Sequence, residues 1–126
     1  MAQVLVVDDS STVRNEVGEF LKKNGLDVAY AVDGRDGLAK LKADGAIKLI
    51  VCDVNMPNMD GYRLTQRIRQ LGLTLPVIGV TANALAEEKQ RCLESGMDSC
   101  LSKPVTLDVL KQTLTVYAAR VRNGRE

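Results

Sequence analysis

Runs of apolar residues alternate along this chain with stretches in which apolar positions recur every three or four residues. Residues 4–7 (Val-Leu-Val-Val) form an unbroken, largely β-branched run, the pattern of a parallel strand covered on both faces. It stops at Asp8-Asp9-Ser10-Ser11, which offers turn and helix N-cap chemistry. Val13, Val17, Phe20 and Leu21 follow at helical spacing, and Asn24-Gly25 ends that helix. Residues 28–32 predict a second strand, closed by Asp33-Gly34, and Leu38 and Leu41 mark a weaker second helix ending at Asp44-Gly45. A third apolar strand over 47–52 ends on another aspartate, Asp53. After a loop over 56–61, Leu64, Ile68 and Leu71 form a third helical stripe. Residues 77–80 predict the fourth strand, running into Thr81-Ala82-Asn83, with a helix over 84–94 behind it. Gly96 leads to a short, modestly apolar strand over 99–102, then Lys103-Pro104 and a last helix carrying Leu107, Leu110, Leu114 and Tyr117. Five strands alternating with five helices predict an α/β fold: a doubly wound, five-stranded parallel sheet with helices on both faces. No linker or repeat interrupts it, so residues 1–126 read as a single domain.

Composition narrows the chemistry. Hydrophobic residues make up 45% of the chain and charged residues 26%, enough apolar side chain for a core and too much for a disordered segment. The net charge of +1 sets up no field toward nucleic acid or lipid. No apolar run approaches the roughly 20 residues of a membrane span, and the N-terminus does not read as a signal peptide, so a cytoplasmic domain is expected. There is no histidine, which excludes a Ser-His-Asp triad and a histidine metal site. Cys52, Cys92 and Cys100 are odd in number and lack C-x-x-C spacing, so neither a disulfide framework nor a thiolate zinc site is supported. They read as small buried hydrophobes. Carboxylates, lysine and hydroxyls are left to carry any reaction.

In open parallel sheets ligands bind beyond the carboxyl ends of the strands. Asp8 and Asp9 follow the first strand, Asp53 the third, Thr81 the fourth and Lys103 the fifth. Three carboxylates in one pocket repel and raise one another's pKa, a conflict that a hard divalent cation such as magnesium removes. A lysine and a hydroxyl beside them complete a set suited to a phosphoryl group: one carboxylate as nucleophile, cation and ammonium on the developing oxygen charge, hydroxyl on a third oxygen. Each residue alone is an ordinary turn or cap; five together at strand ends point to a site.

These residues resemble the receiver domains of two-component response regulators. The likeness rests on Asp8-Asp9, on Val51-Cys52-Asp53-Val54-Asn55-Met56-Pro57-Asn58-Met59-Asp60-Gly61, on Thr81-Ala82 and on Lys103-Pro104. It implies a flavodoxin-like (βα)5 fold and transfer of a phosphoryl group from a phosphohistidine onto aspartate. By position, Asp53 would be the acceptor, and Asp8, Asp9, Asp53 and the backbone carbonyl of Asn55 would bind Mg2+. Lys103 would pair with the acceptor and then the phosphate, Thr81 would bond a phosphate oxygen, and the Lys103-Pro104 peptide would be cis. The implied partner is a histidine kinase or histidine phosphotransfer domain, since a chain without histidine cannot carry its own donor. A monomer that binds neither nucleic acid nor membrane is expected, and one that does not turn over an external substrate as an enzyme does.

Two features refine the likeness. Many receivers carry tyrosine or phenylalanine three residues before the lysine; here that position is Cys100, too small to swing between a buried slot and solvent with much change in surface. Residues from about 53 onward are similar to the receivers of Rcs-type hybrid sensor histidine kinases, whereas residues 1–52 are more like a free-standing chemotaxis-type receiver. That division suggests a recombined or engineered chain, and the alternative function is accordingly a receiver-fold scaffold that keeps the pocket without signalling.

Overall fold

Each predicted strand joins one sheet in the computed structural model, which describes residues 3–55, 59–82, 85–103 and 106–123. The strands are β1 (Val4–Val7), β2 (Val28–Ala31), β3 (Leu49–Asp53), β4 (Val77–Thr81) and β5 (Ser99–Ser102). They pair in parallel in the order β2-β1-β3-β4-β5. Between them run α1 (Ser11–Lys23), α2 (Gly34–Ala43), α3 (Gly61–Gln70) and α4 (Ala86–Glu94), with α5 (Leu107–Asn123) last. The chain turns one way from β1 to β2 and the other way from β1 to β3, and that reversal opens a crevice at the carboxyl ends of β1 and β3.

The unbroken apolar runs have a direct cause: successive strand residues feed two separate cores. Leu5, Val7, Ile50, Cys52 and Val77 pack on one face with Leu41 of α2, Tyr62, Leu64 and Ile68 of α3, and Cys92 of α4. Val4, Val6, Leu49, Val51, Ile78 and Val80 pack on the other with Val17 and Leu21 of α1 and Leu110 of α5. A strand buried on both sides shows no alternation. β5 closes one edge with all four residues half-buried, which accounts for its weak apolar signal.

Helix starts are set by side chains acting on orphan amides. Ser10 accepts from the Val13 amide at 3.3 Å, Asp33 from Asp36 at 2.9 Å and Asp60 from Arg63 at 2.9 Å. Gly25 and Gly72, both at φ 81°, take the left-handed turns that close α1 and α3. Some expected boundaries move. β3 begins at Leu49 rather than 47, because the Ile47 amide turns back to the Asp44 carbonyl, although Ile47 itself is fully buried. β2 ends at Ala31, since the Val32 amide is taken by the Asp36 carboxylate at 3.0 Å. Leu71 is not part of the α3 stripe: the helix stops at Gln70 and the turn into Gly72 leaves Leu71 half exposed. The Lys103-Pro104 peptide, loop residues 56–58, residues 83–84 and the side chains of Leu107 and Leu114 lie outside the described residues. Among the described residues no helix is long and apolar enough to cross a membrane.

Candidate functional site

The polar residues that end the strands meet in the crevice. Asp8 leaves β1 with its amide still bonded to the Ala31 carbonyl, which fixes its side chain over the carboxyl edge of the sheet. Its Oδ1 accepts from the Ser10 amide at 2.9 Å, and its own carbonyl accepts from Arg14 Nη1 at 2.6 Å. Asp53 is the last residue of β3, paired with Val80, and its Oδ1 accepts from the Asn55 amide at 3.2 Å. Both carboxylates are 3% exposed, whereas Asp9 is open to solvent. One carboxylate oxygen from each of Asp8, Asp9 and Asp53 lies within 4.8 Å of the others.

Lys103 faces this group from the far side of the sheet edge. Its amide bonds to the Thr81 carbonyl at 2.7 Å, so β4 holds it in place just beyond β5. The ammonium stands 3.3 Å from Asp53 Oδ2 and 3.6 Å from Asp8 Oδ2. Thr81 ends β4 fully buried. The side chains of Asp8, Asp9, Asp53 and Lys103 therefore converge on one place, Thr81 ends the neighbouring strand with its carbonyl bonded to the Lys103 amide, and Asn55 joins through its amide to Asp53.

Burial pushes the Asp53 carboxyl above its ordinary range. The Asn55 amide pulls it back, Asp8 raises it further, and the Lys103 ammonium lowers it again. Three carboxylates face one paired ammonium, that of Lys103, while the Arg14 guanidinium bonds only the Asp8 backbone carbonyl, so the cluster carries surplus negative charge. A cluster of hard oxygen donors with surplus negative charge, partly open through Asp9, is suited to a divalent cation.

Two contacts nearby had no signature in the sequence. Tyr62, at the start of α3 and 6% exposed, bonds through its hydroxyl to Glu88 of α4, and its ring carries the Arg91 guanidinium 4.2 Å from its centroid. Cys100 of β5 turns toward α4, where its sulfur meets that of Cys92.

Residues 4–115 match the response regulator receiver domain family. The chain belongs to that family. As a receiver it is 69% identical over 122 residues to the sensor histidine kinase RcsC of Salmonella typhimurium, covering 97% of this chain and 13% of that protein. It is 45% identical over 112 residues to the sensor protein EvgS of Escherichia coli K12, covering 89% of this chain and 9% of EvgS. The chain thus spans about an eighth or less of the length of these relatives. Among solved structures, the phosphoreceiver-containing C-terminus of E. coli RcsC superposes with a TM-score of 0.79 at 67% identity, covering 97% of this chain and 91% of that one. The chemotaxis protein CheY4 of Vibrio cholerae gives 0.85 at 35% identity, covering 92% and 98%. Both ends of the flavodoxin-like expectation are met: a five-stranded parallel sheet, and CheY-like receivers as its structural neighbours. The alignment with RcsC extends over 97% of this chain and so includes both halves of the receiver.

Proposed function

We propose that this receiver takes a phosphoryl group onto Asp53 from a phosphohistidine on a histidine kinase or phosphotransfer domain. The observation that carries the proposal is the Asp53 carboxylate itself: buried to 3% at the end of β3, 3.3 Å from an ammonium, at the meeting point of two further carboxylates. An Asp53 oxygen attacks phosphorus, the bond from phosphorus to the donor imidazole breaks, and the imidazole leaves with the electron pair and takes up a proton. Lys103 shifts from pairing with the carboxylate to pairing with the phosphoryl oxygens, and the Thr81 hydroxyl bonds another of them. The carboxylates of Asp8, Asp9 and Asp53 with the carbonyl of Asn55 would hold Mg2+, which supplies positive charge against the phosphoryl oxygens. Asp9, the most exposed of the three, leaves room on that side for water and phosphate.

The chain acts here as a stoichiometric acceptor, not as an enzyme on an external substrate. The name of its relative RcsC, a sensor histidine kinase, supports a histidine-borne donor, met in the cytoplasm where ATP-driven kinases make it. The test is intact mass after incubation with magnesium and acetyl phosphate. The parent should gain about 80 Da, one phosphoryl group, and Asp53→Asn should gain nothing. An Asp53→Asn protein that gains the same mass would remove Asp53 from the role. A parent that gains none would favour the scaffold reading.

A further inference from the structure

Two thiols outside the phosphoryl chemistry meet between α4 and β5. Cys92 lies in α4 with its side chain fully buried, and Cys100 is the second residue of β5, half-buried. Their sulfurs are 2.8 Å apart, within about 1 Å of the roughly 2.05 Å of an S–S bond. The backbone between them is pinned. The Cys92 carbonyl accepts from Ser95 Oγ at 2.6 Å and from the Met97 amide at 3.2 Å, and Gly96 turns the chain at φ 106°. The helix end and the strand start are thus already held where a bridge would need them.

We propose that Cys92 and Cys100 form an oxidisable pair, converted by a hydroperoxide into a disulfide that ties α4 to β5. Cys100, the more exposed, reacts first: its sulfur bonds to the terminal peroxide oxygen, the O–O bond breaks, and the departing oxygen leaves as water or an alcohol with the thiol proton. The Cys92 sulfur then attacks the Cys100 sulfur. The S–S bond forms, the S–O bond of the sulfenic acid breaks, and its hydroxide leaves as water with the Cys92 proton. The two sulfurs together lose two electrons and the peroxide gains them. Burial, reinforced by the bond to Cys92, pushes the Cys100 thiol up to about 12. Few molecules carry the reactive thiolate at neutral pH, so the pair answers sustained oxidant rather than a passing pulse. The bridge would fix the α4–β5 contact at the position where many receivers place a mobile aromatic. Its formation does not depend on Asp53, so it stands or falls apart from the phosphoryl reading.

The experiment treats the full chain with hydrogen peroxide, then denatures it and alkylates the remaining thiols. No lysine or arginine separates residue 92 from residue 100, so both cysteines fall in one tryptic peptide. Untreated protein should take up three alkyl groups. Oxidised protein should take up one, at Cys52, and dithiothreitol should restore the other two. Counting alkyl groups avoids confusion with oxygen added to Met97 in the same peptide. In the bridged form, hydrogen exchange of α4 amides should slow, and Cys100→Ser should leave Cys92 open to alkylation. Three alkyl groups after prolonged peroxide, a bridge to Cys52, or disulfide-linked dimers in place of the internal bridge would each overturn the proposal. Because the decisive count is made on the parent, a variant that folds poorly does not shield it.

Discussion

Replacing Asp53 by asparagine should make the fold more stable at neutral pH while removing its acceptor. Asp53 is 3% exposed, and loss of water raises its folded pKa above the ordinary value of 3.8. Between those two values the native state keeps a proton that the unfolded chain has released, so stability falls as pH rises through the window. Above it, the ionised carboxylate costs the native state about 1.4 kcal/mol for each unit of upward shift. The Coulomb contributions largely offset one another. At an effective dielectric of about 20, Lys103 at 3.3 Å attracts Asp53 by roughly 5 kcal/mol, and Asp8 at up to 4.8 Å repels it by roughly 3.5 kcal/mol or more. Asp9 adds repulsion weakened by solvent, and desolvation then decides the sign. Asparagine keeps the shape and an acceptor for the Asn55 amide, so the substitution mainly removes that penalty and gains stability. Urea unfolding of both proteins with a metal chelator reads it, as a higher midpoint at pH 7 for Asp53→Asn. The gain should shrink as pH falls toward the unfolded carboxyl range, where the parent is also neutral. It should shrink too when magnesium is added, because only the parent keeps the full donor set. A variant less stable than the parent at pH 7, or a gain unchanged in acid, would refute the reasoning.

Three further outcomes are expected. Asp9→Ala should weaken magnesium binding by roughly tenfold or more, since losing an outer-shell partner alone can cost that much, while unfolding midpoints with chelator stay close to the parent; equal affinities in a magnesium titration would reduce the cluster to a turn and cap. Gly61→Ala should destabilise by about 1–3 kcal/mol in urea unfolding, because an added Cβ would stand 2.6 Å from the Asp53 carbonyl oxygen and 2.8 Å from Val54 Cα; a neutral result would mean that α3 does not rest on the end of β3 as described. Adding beryllofluoride should shift NMR signals near Asp53, Thr81 and Lys103 far more than those along α4, because Cys100 buries much less surface than an aromatic could; equal shifts through α4 would show that the missing aromatic is not needed.

The site could be read from the sequence for a reason rooted in parallel sheets. A strand covered on both faces is an unbroken apolar run, and the first charged residue after it marks where the backbone leaves the core. Asp8 and Lys103 fall just past their strands, and Asp53 and Thr81 on the last residue of theirs. Parallel pairing puts all these ends on one edge, so a one-dimensional list of strand ends becomes a pocket. Boundaries were less readable, because they depend on single hydrogen bonds such as the Asp36 carboxylate taking the Val32 amide.

Side-chain pairs between elements leave no such trace. Tyr62 and Glu88 are 26 residues apart, and what joins them is the packing angle between α3 and α4, which no periodicity encodes. The same holds for Arg69, whose guanidinium bonds the carbonyls of Leu73, Leu75 and Gly96 and the Asp98 carboxylate at 2.9 Å. Through it the end of α3, the approach to β4 and the turn before β5 are held as one unit. Cys92 and Cys100 are the sharpest case. Their spacing fits no redox or metal motif, and they meet because Gly96 reverses the chain while β5 pairs with β4 at Gly79–Cys100. Chemistry at strand ends follows from topology, whereas chemistry between a helix and an edge strand follows from how that helix is seated. In this receiver the Tyr62, Glu88 and Arg91 contacts on one side and the Cys92–Cys100 contact on the other both bear on the seat of α4. Alongside the burial of Cys92 in the apolar core, α4 is thus held by polar and sulfur contacts that the hydrophobic pattern does not contain.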